Sequence, residues 1–335
     1  MVRIAVLGCG RIGRMHAANI AAHPRAGLGG VFDVHRPAAE DVAAALGARL
    51  FESAEDVLAS ADVDAVLIAS STPTHSDLLE AAVAAGKPVL CEKPIDLSLA
   101  RVTQCAERIH GTSVPIMLGF VRRFDPGHRA VAQAVRNGQV GDLHQVAITS
   151  RDPGLAPVGY LRESGGIFRD MTIHDFDMAR FILGEEVATV AAAGSRLVDP
   201  PTMAELGDYD TVTVLLTTAT GKQCVITNSR RATYGYDQRV EAFGSGGMAI
   251  SENVRENNAT FHGEGFTGRS APLLDFFIER YAAAFAAEIS SFVDAVETGS
   301  PPEVGFEDGR LALVLAEAAL KSATEGRIVN VSEIG

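Results

Sequence analysis

The sequence predicts a two-part α/β chain: a doubly wound parallel sheet over residues 1–120, then an α+β domain over 121–335 with a mainly antiparallel, open-faced sheet. Three observations carry that reading. Short apolar runs alternate with helical stretches through the first third, the alternation stops after residue 118, and strand signals thereafter follow one another without intervening helices. At 335 residues the chain exceeds one ordinary domain, and a composition 47% hydrophobic and 21% charged suffices for a sizeable core in each part.

Each element has its own signal. Residues 2–7 form a strand-length apolar run that passes directly into Gly8-Cys9-Gly10-Arg11-Ile12-Gly13 and an amphipathic stretch ending near residue 23. The runs at 30–32, 65–69, 89–91 and 116–118 are continuously apolar, as buried parallel strands require. Between them helical stretches recur at 38–46, 54–59, 75–85 and 99–110. Ser53 stands as an N-cap with Asp56 three residues on, and Gly86 ends the helix over 75–85. Beyond residue 118 a helix over 126–137 and a strand over 143–149 lead into an irregular Gly/Pro-rich segment, 151–166, and a helical segment over about 169–183. Strands follow at 188–193, 211–217, 223–228, 239–243 and 248–251, with Ala219-Thr220-Gly221-Lys222 and Gly244-Ser245-Gly246-Gly247 as hairpin turns. Their period of two puts one face on the helices and leaves the other open. A helix over 274–298, a Gly299-Ser300-Pro301-Pro302 break and a helix over 307–324 close the chain, which has no internal repeats or low-complexity tracts.

The glycine run reads as a dinucleotide-binding signature because of its context. It leaves a strand, opens a helix, and is followed twenty residues past Gly13 by Asp33 at the end of the next apolar run. Gly8 permits the tight turn, Gly10 lets the backbone approach a pyrophosphate, and Gly13 allows close helix–strand packing. The helix then points its free N–H groups and positive dipole end at the phosphates. The alternative is a glycine-rich turn without a ligand. Asp33 accepts the ribose hydroxyls of NAD and repels the 2′-phosphate of NADP. Arg36 would soften that repulsion or stack on adenine. The expected cofactor is NAD, on a Rossmann-type sheet.

Bulk properties remove several classes. A net charge of −13 with no basic run argues against nucleic acid, since a duplex binder needs a basic face to displace counterions. No apolar stretch has the length and purity of a membrane span. Met1 leads straight into the first strand, which leaves no room for a signal peptide. Cys9, Cys91, Cys105 and Cys224 form no CxxC and read as reduced small hydrophobes, as expected in the cytoplasm.

Two constellations beyond the glycine run bear on chemistry. Cys91-Glu92-Lys93-Pro94 closes a parallel strand, where active-site groups of such sheets gather. A solvated Glu-Lys turn is the plain reading. Against it, Pro94 fixes the backbone, through a trans or a cis bond, and so aims Lys93. The second is Gly165-Gly166 followed by Asp170, His174 and Asp177. On one helix Asp170 and His174 are i, i+4 neighbours, with Asp177 on the same side. The set reads as a helix-surface charge cluster, as a metal site of histidine and two carboxylates, or as a general base held by a carboxylate. Beside a dinucleotide loop and a strand-end lysine, the general base is favoured and no metal is expected.

These residues together resemble a known family, the glucose–fructose oxidoreductase / inositol dehydrogenase / rhizopine-catabolism enzymes, over essentially the whole chain. Gly119-Phe120-Val121-Arg122-Arg123-Phe124-Asp125, Thr149-Ser150-Arg151-Asp152, the run from Gly165 to Arg180, and Arg230-Arg231-Ala232-Thr233-Tyr234-Gly235-Tyr236-Asp237 are similar to its bacterial inositol 2-dehydrogenase subgroup. The resemblance implies a two-domain, NAD-dependent, homotetrameric enzyme that oxidises the axial hydroxyl of myo-inositol to a ketone. It implies His174 as general base, Asp170 as its orienting partner and substrate ligand, and Lys93 beside the reacting oxygen. Arg122, Asp152 and Tyr236 would face the polyol. The implied cofactor set comprises Gly8, Gly10, Arg11, Ile12, Gly13, Asp33, Arg36, Ser70, Thr72, His75, Glu92 and Lys93. Val121 stands where several relatives carry asparagine or methionine, which bears on the choice among inositol isomers. A dehydrogenase of scyllo-inositol or of a pyranose sugar is the nearest alternative. A non-catalytic NAD sensor is the alternative of another class, and it would have no use for Lys93, Asp170 and His174 together.

Overall fold

The computed structural model describes residues 1–334. Its first five strands are β1 (Val2–Leu7), β2 (Ala26–Phe32), β3 (Ala65–Ile68), β4 (Val89–Cys91) and β5 (Ile116–Leu118). They form one parallel sheet in the order β2-β1-β3-β4-β5. The connections carry α1 (Arg11–Ala22), α2 (Arg36–Leu46), α3 (Ala54–Ala59), α4 (His75–Ala84) and α5 (Leu99–Arg108). From β1 the chain crosses first to β2 on one side and later to β3 on the other, so strand order reverses at the carboxyl end of β1, where such sheets bind ligands. α1 buries Gly13, His16, Ala17 and Ile20, a stripe at helical spacing. Ser53 caps α3 by accepting the Asp56 N–H at 3.0 Å.

The chain continues through α6 (Pro126–Arg136), β6 (Leu143–Arg151), α7 (Val158–Glu163), α8 (Ile167–Asp170), α9 (Ile173–Leu183), β7 (Val187–Ser195), α10 (Pro200–Leu206), β8 (Thr211–Thr218), β9 (Gln223–Ser229), β10 (Asp237–Gly244) and β11 (Gly247–Ser251). A hairpin of β12 (Thr260–Gly263) and β13 (Phe266–Ser270) follows, then α11 (Phe277–Arg280), α12 (Ala282–Thr298), α13 (Phe306–Glu325) and β14 (Val329–Asn330). The large sheet runs β11-β10-β6-β9-β8-β7-β14. It is antiparallel throughout except for β6 beside β9, which run the same way because helices and the antiparallel β7–β8 pair intervene between them. Its strands alternate as expected. Val212, Val214 and Leu216 are buried on β8 while Thr213 and Leu215 are exposed.

Two compact units result: residues 1–124 with 283–313, and residues 125–282 with the rest of the described chain. The first unit thus regains a late segment that the expected division at residue 120 left with the second part. Leu118 donates its N–H to the Val304 carbonyl at 3.0 Å, and Arg25 pairs with Asp294 and Glu297 at 2.6 and 2.8 Å. Apolar periodicity announces a helix but not the sheet it packs on.

Three further differences have physical causes. The β12–β13 hairpin was not expected, and it has no buried stripe to read: β12 is exposed at all four positions. The expected helix from 274 is broken into α11 and α12, where Arg280 turns back to form a buried ion pair with Asp125 at 2.5 Å. The segment 151–166, expected to be irregular, carries α7. Among the described residues no helix is long and apolar enough to cross a membrane, and all four cysteines are free and buried.

Asp237, 1% exposed, fastens the ends of β6 and β10. It accepts hydrogen bonds from Tyr234 Oη at 2.6 Å, Asn253 Nδ2 at 2.7 Å, Arg239 Nε at 2.8 Å and Arg151 Nη1 at 3.2 Å. Burial alone would raise its carboxyl pKa, but these donors outweigh it and hold the value at about 2. A carboxyl depressed on folding contributes stability that is present above its unfolded value of about 3.9 and is lost as pH falls through the folded one. Asp237→Asn should therefore lower the melting temperature at neutral pH by roughly 2–4 °C, the shift of about 1 kcal/mol in a domain of this size. Scanning calorimetry should show the gap to wild type closing as pH falls from 4 towards 2.

Candidate active site

The glycine loop is held by contacts that leave no room for side chains. Gly8 has φ +100°, and a Cβ there would lie 2.5 Å from the Ala69 carbonyl and the Ser70 nitrogen at the end of β3. A Cβ on Gly13 would collide with the Gly8 carbonyl, so α1 packs directly on the turn. Gly10 is the opposite case. Nothing lies within 4 Å of a Cβ built on it, and it N-caps α1 without a side-chain hydrogen bond. The first-turn N–H groups at Arg11, Ile12 and Gly13 therefore open past Gly10 toward any anion set there. The loop and helix end fit a dinucleotide pyrophosphate.

Asp33 closes the loop from the second strand. Its Oδ2 accepts the Cys9 N–H at 2.6 Å and its Oδ1 the His35 N–H at 2.7 Å, leaving a lone pair on each oxygen for ribose hydroxyls. Arg36, three residues past Asp33, pairs with Glu40 and Glu52, so its charge is engaged by two carboxylates. The end of β3 carries Ser70, whose Oγ lies 2.7 Å from Thr74 Oγ1, followed by Thr72 in a single 3₁₀ turn. His75 is buried, with Nδ1 at 2.8 Å from the Pro94 carbonyl and Nε2 at 3.0 Å from that of Ser70. In this structure it joins the end of β3 to the turn after β4. In that turn Glu92 reaches His16 at 2.8 Å, and half-buried Lys93 precedes Pro94 across a cis bond.

The second unit gathers Asp152, Asp170, His174 and Tyr236 at one end of its sheet. The expected continuous helix over 169–183 is interrupted, which corrects the i, i+4 placement of Asp170 and His174. Asp170 ends α8, His174 lies in the first turn of α9, and its N–H bonds the Met171 carbonyl at 3.3 Å instead of that of Asp170. Gly165 and Gly166 have φ +81° and +87°, and a Cβ on Gly166 would meet Asp208 Oδ1 at 2.9 Å. Asp208 instead receives the Ile167 N–H at 3.0 Å and caps α8.

Asp170 accepts from Tyr160 Oη at 2.6 Å and Arg230 Nη1 at 3.0 Å. Arg230, 2% exposed, also reaches Asp208 at 3.4 Å. Tyr160 is half exposed, but desolvation of its hydroxyl against Asp170, and then the Asp170 charge, push the phenol up, so Tyr160 keeps its proton and donates it. Asp152 adds its negative charge to the field at both Tyr160 and Arg230. Its backbone is clamped between Ser229 and Ala232.

The start of α9 is fixed from beneath. Fully buried Asp175 accepts from Ser150 Oγ and Asn228 Nδ2, both at 2.7 Å, and Thr172 Oγ1 donates to Asn228 Oδ1 at 2.6 Å. Asp177 is buried one turn on. Tyr236 is buried edge-on against Phe276, centroids 5.3 Å apart, and Arg122 and Val121 are buried in the turn after β5. Among the described residues, the donors spaced for a shared ion belong to His16, Glu92 and Glu288, not to Asp170, His174 and Asp177. Sequence reasoning missed Tyr160, Arg230, Thr172, Ser150 and Asn228 as parts of the site. Two of them left a signal: Ser150 and Asn228 are polar residues at the end of otherwise apolar buried stripes, Val146-Ile148 and Cys224-Ile226.

A dinucleotide loop at the switch point of a parallel sheet, in a chain that also builds a mixed-sheet unit, defines a two-domain nucleotide-dependent enzyme class. Residues 2–120 match the oxidoreductase-family NAD-binding Rossmann fold and residues 128–250 match the GFO/IDH/MocA C-terminal domain. The chain belongs to this GFO/IDH/MocA oxidoreductase family. It is 48% identical over 332 residues to the inositol 2-dehydrogenase of Rhizobium meliloti, covering 99% of each chain. It is similar to the crystal structure of a myo-inositol dehydrogenase from Corynebacterium glutamicum, with TM-score 0.95, 46% identity and 98% of each chain covered. It is also similar to a scyllo-inositol dehydrogenase from Lactobacillus casei with bound NAD(H) and scyllo-inositol, with TM-score 0.92, 30% identity and 99% of each chain covered.

Buried Arg230 compensates two carboxylates, buried Asp208 and partly exposed Asp170. Arg230→Met should destabilise the protein by roughly 3–5 kcal/mol, because it leaves Asp170 and Asp208 uncompensated. Urea unfolding of the variant against wild type measures this. A loss under about 1 kcal/mol, the range of an exposed pair, would contradict it.

Proposed function

We propose that this chain is an NAD-dependent dehydrogenase of a cyclic polyol and that it oxidises myo-inositol to 2-keto-myo-inositol. The observation that carries the reading is full-length kinship at 48% identity to an inositol 2-dehydrogenase. When bound, NAD supplies the hydride acceptor. The glycine loop, Asp33, Ser70, Thr72 and the Glu92-Lys93 turn would hold it, and the engaged Arg36 favours the unphosphorylated ribose.

The protein's own work is on proton and charge. Hydride leaves carbon only if electron density is pushed from the hydroxyl oxygen, so the hydroxyl proton departs with it or before it. His174 accepts that proton as general base. Asp170, itself fixed by Tyr160 and Arg230, stabilises the imidazolium that forms. The Lys93 ammonium stabilises the developing alkoxide, a preorganised contribution of about 3 kcal/mol. Arg122, Asp152 and Tyr236 bind the remaining hydroxyls.

The enzyme acts in the cytoplasm as a homotetramer. The open face of the large sheet exposes Leu215, Phe243, Met248 and Ile250, and a second copy covering it would remove a contiguous apolar surface from water. Light scattering should give the mass of an oligomer at working concentration, and a monomer would refute this.

Purified protein given NAD and a panel of polyols should form NADH fastest with myo-inositol and slowly or not at all with NADP. His174→Ala should lower kcat about 100-fold or more, and Lys93→Ala should lower kcat far more than it weakens NAD binding. Turnover confined to scyllo-inositol or a sugar would move the substrate. NAD binding with no turnover of any polyol would replace the enzyme by a sensor.

A further inference from the structure

Glu288 is the most unusual ionisable group in the first unit. It lies in the buried stripe of α12 among Ala284, Phe285, Ile289 and Phe292, is 0% exposed, and has no hydrogen-bond partner at either carboxylate oxygen. Facing it are His16 from α1 and Glu92 from the end of β4, with donor atoms of all three residues within 4.8 Å of one another. His16 is 1% exposed. Its Nε2 meets Glu92 Oε1 at 2.8 Å, its Nδ1 has no partner, and its ring packs edge-on against Phe285 at 5.5 Å. Gly119 leaves the space Glu92 occupies: a Cβ there would lie 3.0 Å from the Glu92 carboxylate. Of these groups only Glu92 has a part in the reaction proposed above, in the turn that would hold the cofactor; Glu288 and His16 have none.

A carboxylate ion without donors in an apolar interior is costly enough that it takes up either a cation or a proton. The spacing favours the proton. Ligands of one zinc-like ion sit about 2.1 Å from it and hence roughly 3.0–3.5 Å apart, whereas His16 and Glu92 are already joined by a hydrogen bond. Burial, and then the charge of Glu92, push the Glu288 carboxyl well above the usual range.

We propose that Glu288 is a positioning residue: as a neutral carboxylic acid it shares its proton with the Glu92 carboxylate over one water, and so braces the Glu92–His16 pair that ties the helix of the glycine loop to the turn presenting Lys93. The inference rests on the role given above to Lys93 and the glycine loop. Its consequence is that one neutral donor from α12 fixes two separate parts of the cofactor-binding surface in a single register. The charged groups facing Glu288 are His16 and Glu92, and Lys93 follows Glu92 in the chain. Ionising Glu288 at high pH would set a second negative charge beside Glu92 and loosen both.

The test compares Glu288→Gln, which keeps a neutral donor, with Glu288→Ala, which does not. The wild-type infrared spectrum at neutral pH should show a protonated-carboxyl C=O stretch that Glu288→Gln removes. Glu288→Gln should bind NADH within about twofold of wild type and keep kcat, while Glu288→Ala should lose about tenfold or more in NADH affinity and kcat, the usual effect of deleting an outer supporting partner. A carboxyl whose pKa is raised on folding weakens the fold as pH rises above its unfolded value, so the melting temperature of Glu288→Gln should gain on wild type between pH 5 and 9. Absence of the carboxyl band, or a Glu288→Gln variant as impaired as Glu288→Ala, would overturn the proposal in favour of an ionised, cation-binding glutamate. Normal NADH affinity in Glu288→Ala would overturn the positioning role. If Glu288→Ala fails to fold, the infrared band and the Glu288→Gln comparison still decide. Wild-type turnover is the separate control: failure to oxidise any polyol refutes the proposed function, while NADH affinity and the infrared band still judge Glu288.

Discussion

Contact between the first turn of α1 and the Gly8 carbonyl is possible because Gly13 has no side chain, and the cofactor half of the molecule depends on that contact. It brings a helix N-terminus to the carboxyl end of β1, where the strand order reverses. With the helix that close, the Gly8 turn must press against the end of β3, and Asp33 can bond the Cys9 N–H from the second strand. A methyl group at Gly8 or Gly13 would push the helix off the sheet. Everything assigned to dinucleotide binding would then lose its common reference.

The second unit solves a different problem: holding acids and a histidine at a sheet end without letting them collapse onto one another. Its solution is polar residues placed where buried stripes end. Ser150 and Asn228 receive Asp175 and Thr172, which fixes the first turn of α9, and Arg230 sits between Asp170 and Asp208. Buried groups of this kind are costly unless every partner is present, and here the partners come from β6, β8's flank, β9 and two short helices. The interruption between α8 and α9 follows from the same bonds. A continuous helix would keep Asp170 and His174 in strict register, whereas the tight turn at Met171–Thr172 lets Thr172 reach Asn228.

Much of this was legible in the sequence. The glycine run, Asp33 and the alternation of strands and helices are local signals, and local sterics enforce them: Gly8, with φ +100°, makes the tight turn and Gly13 the close helix approach that were expected. Strand-end Lys93 and its proline were legible because position after an apolar run is itself information. What escaped depends on distant partners. Arg230 and Tyr160 become meaningful only where Asp170 lies between them, and nothing in their own neighbourhoods says so. The return of residues 283–313 to the first unit was hidden because amphipathic helices carry no address. The β12–β13 hairpin was hidden because exposed strands lack the alternation by which strands are read.

In the proposed reaction His174 would take a proton from a polyol hydroxyl as hydride leaves the adjoining carbon. The hydride is the claim on which the rest stands. The most direct measurement is the fate of deuterium at C2 of myo-inositol, read by mass spectrometry of the dinucleotide recovered after one turnover. The account predicts one deuterium in the reduced nicotinamide and none in the ketone. Recovery of unlabelled dinucleotide, with the label still on the polyol or lost to water, would contradict it.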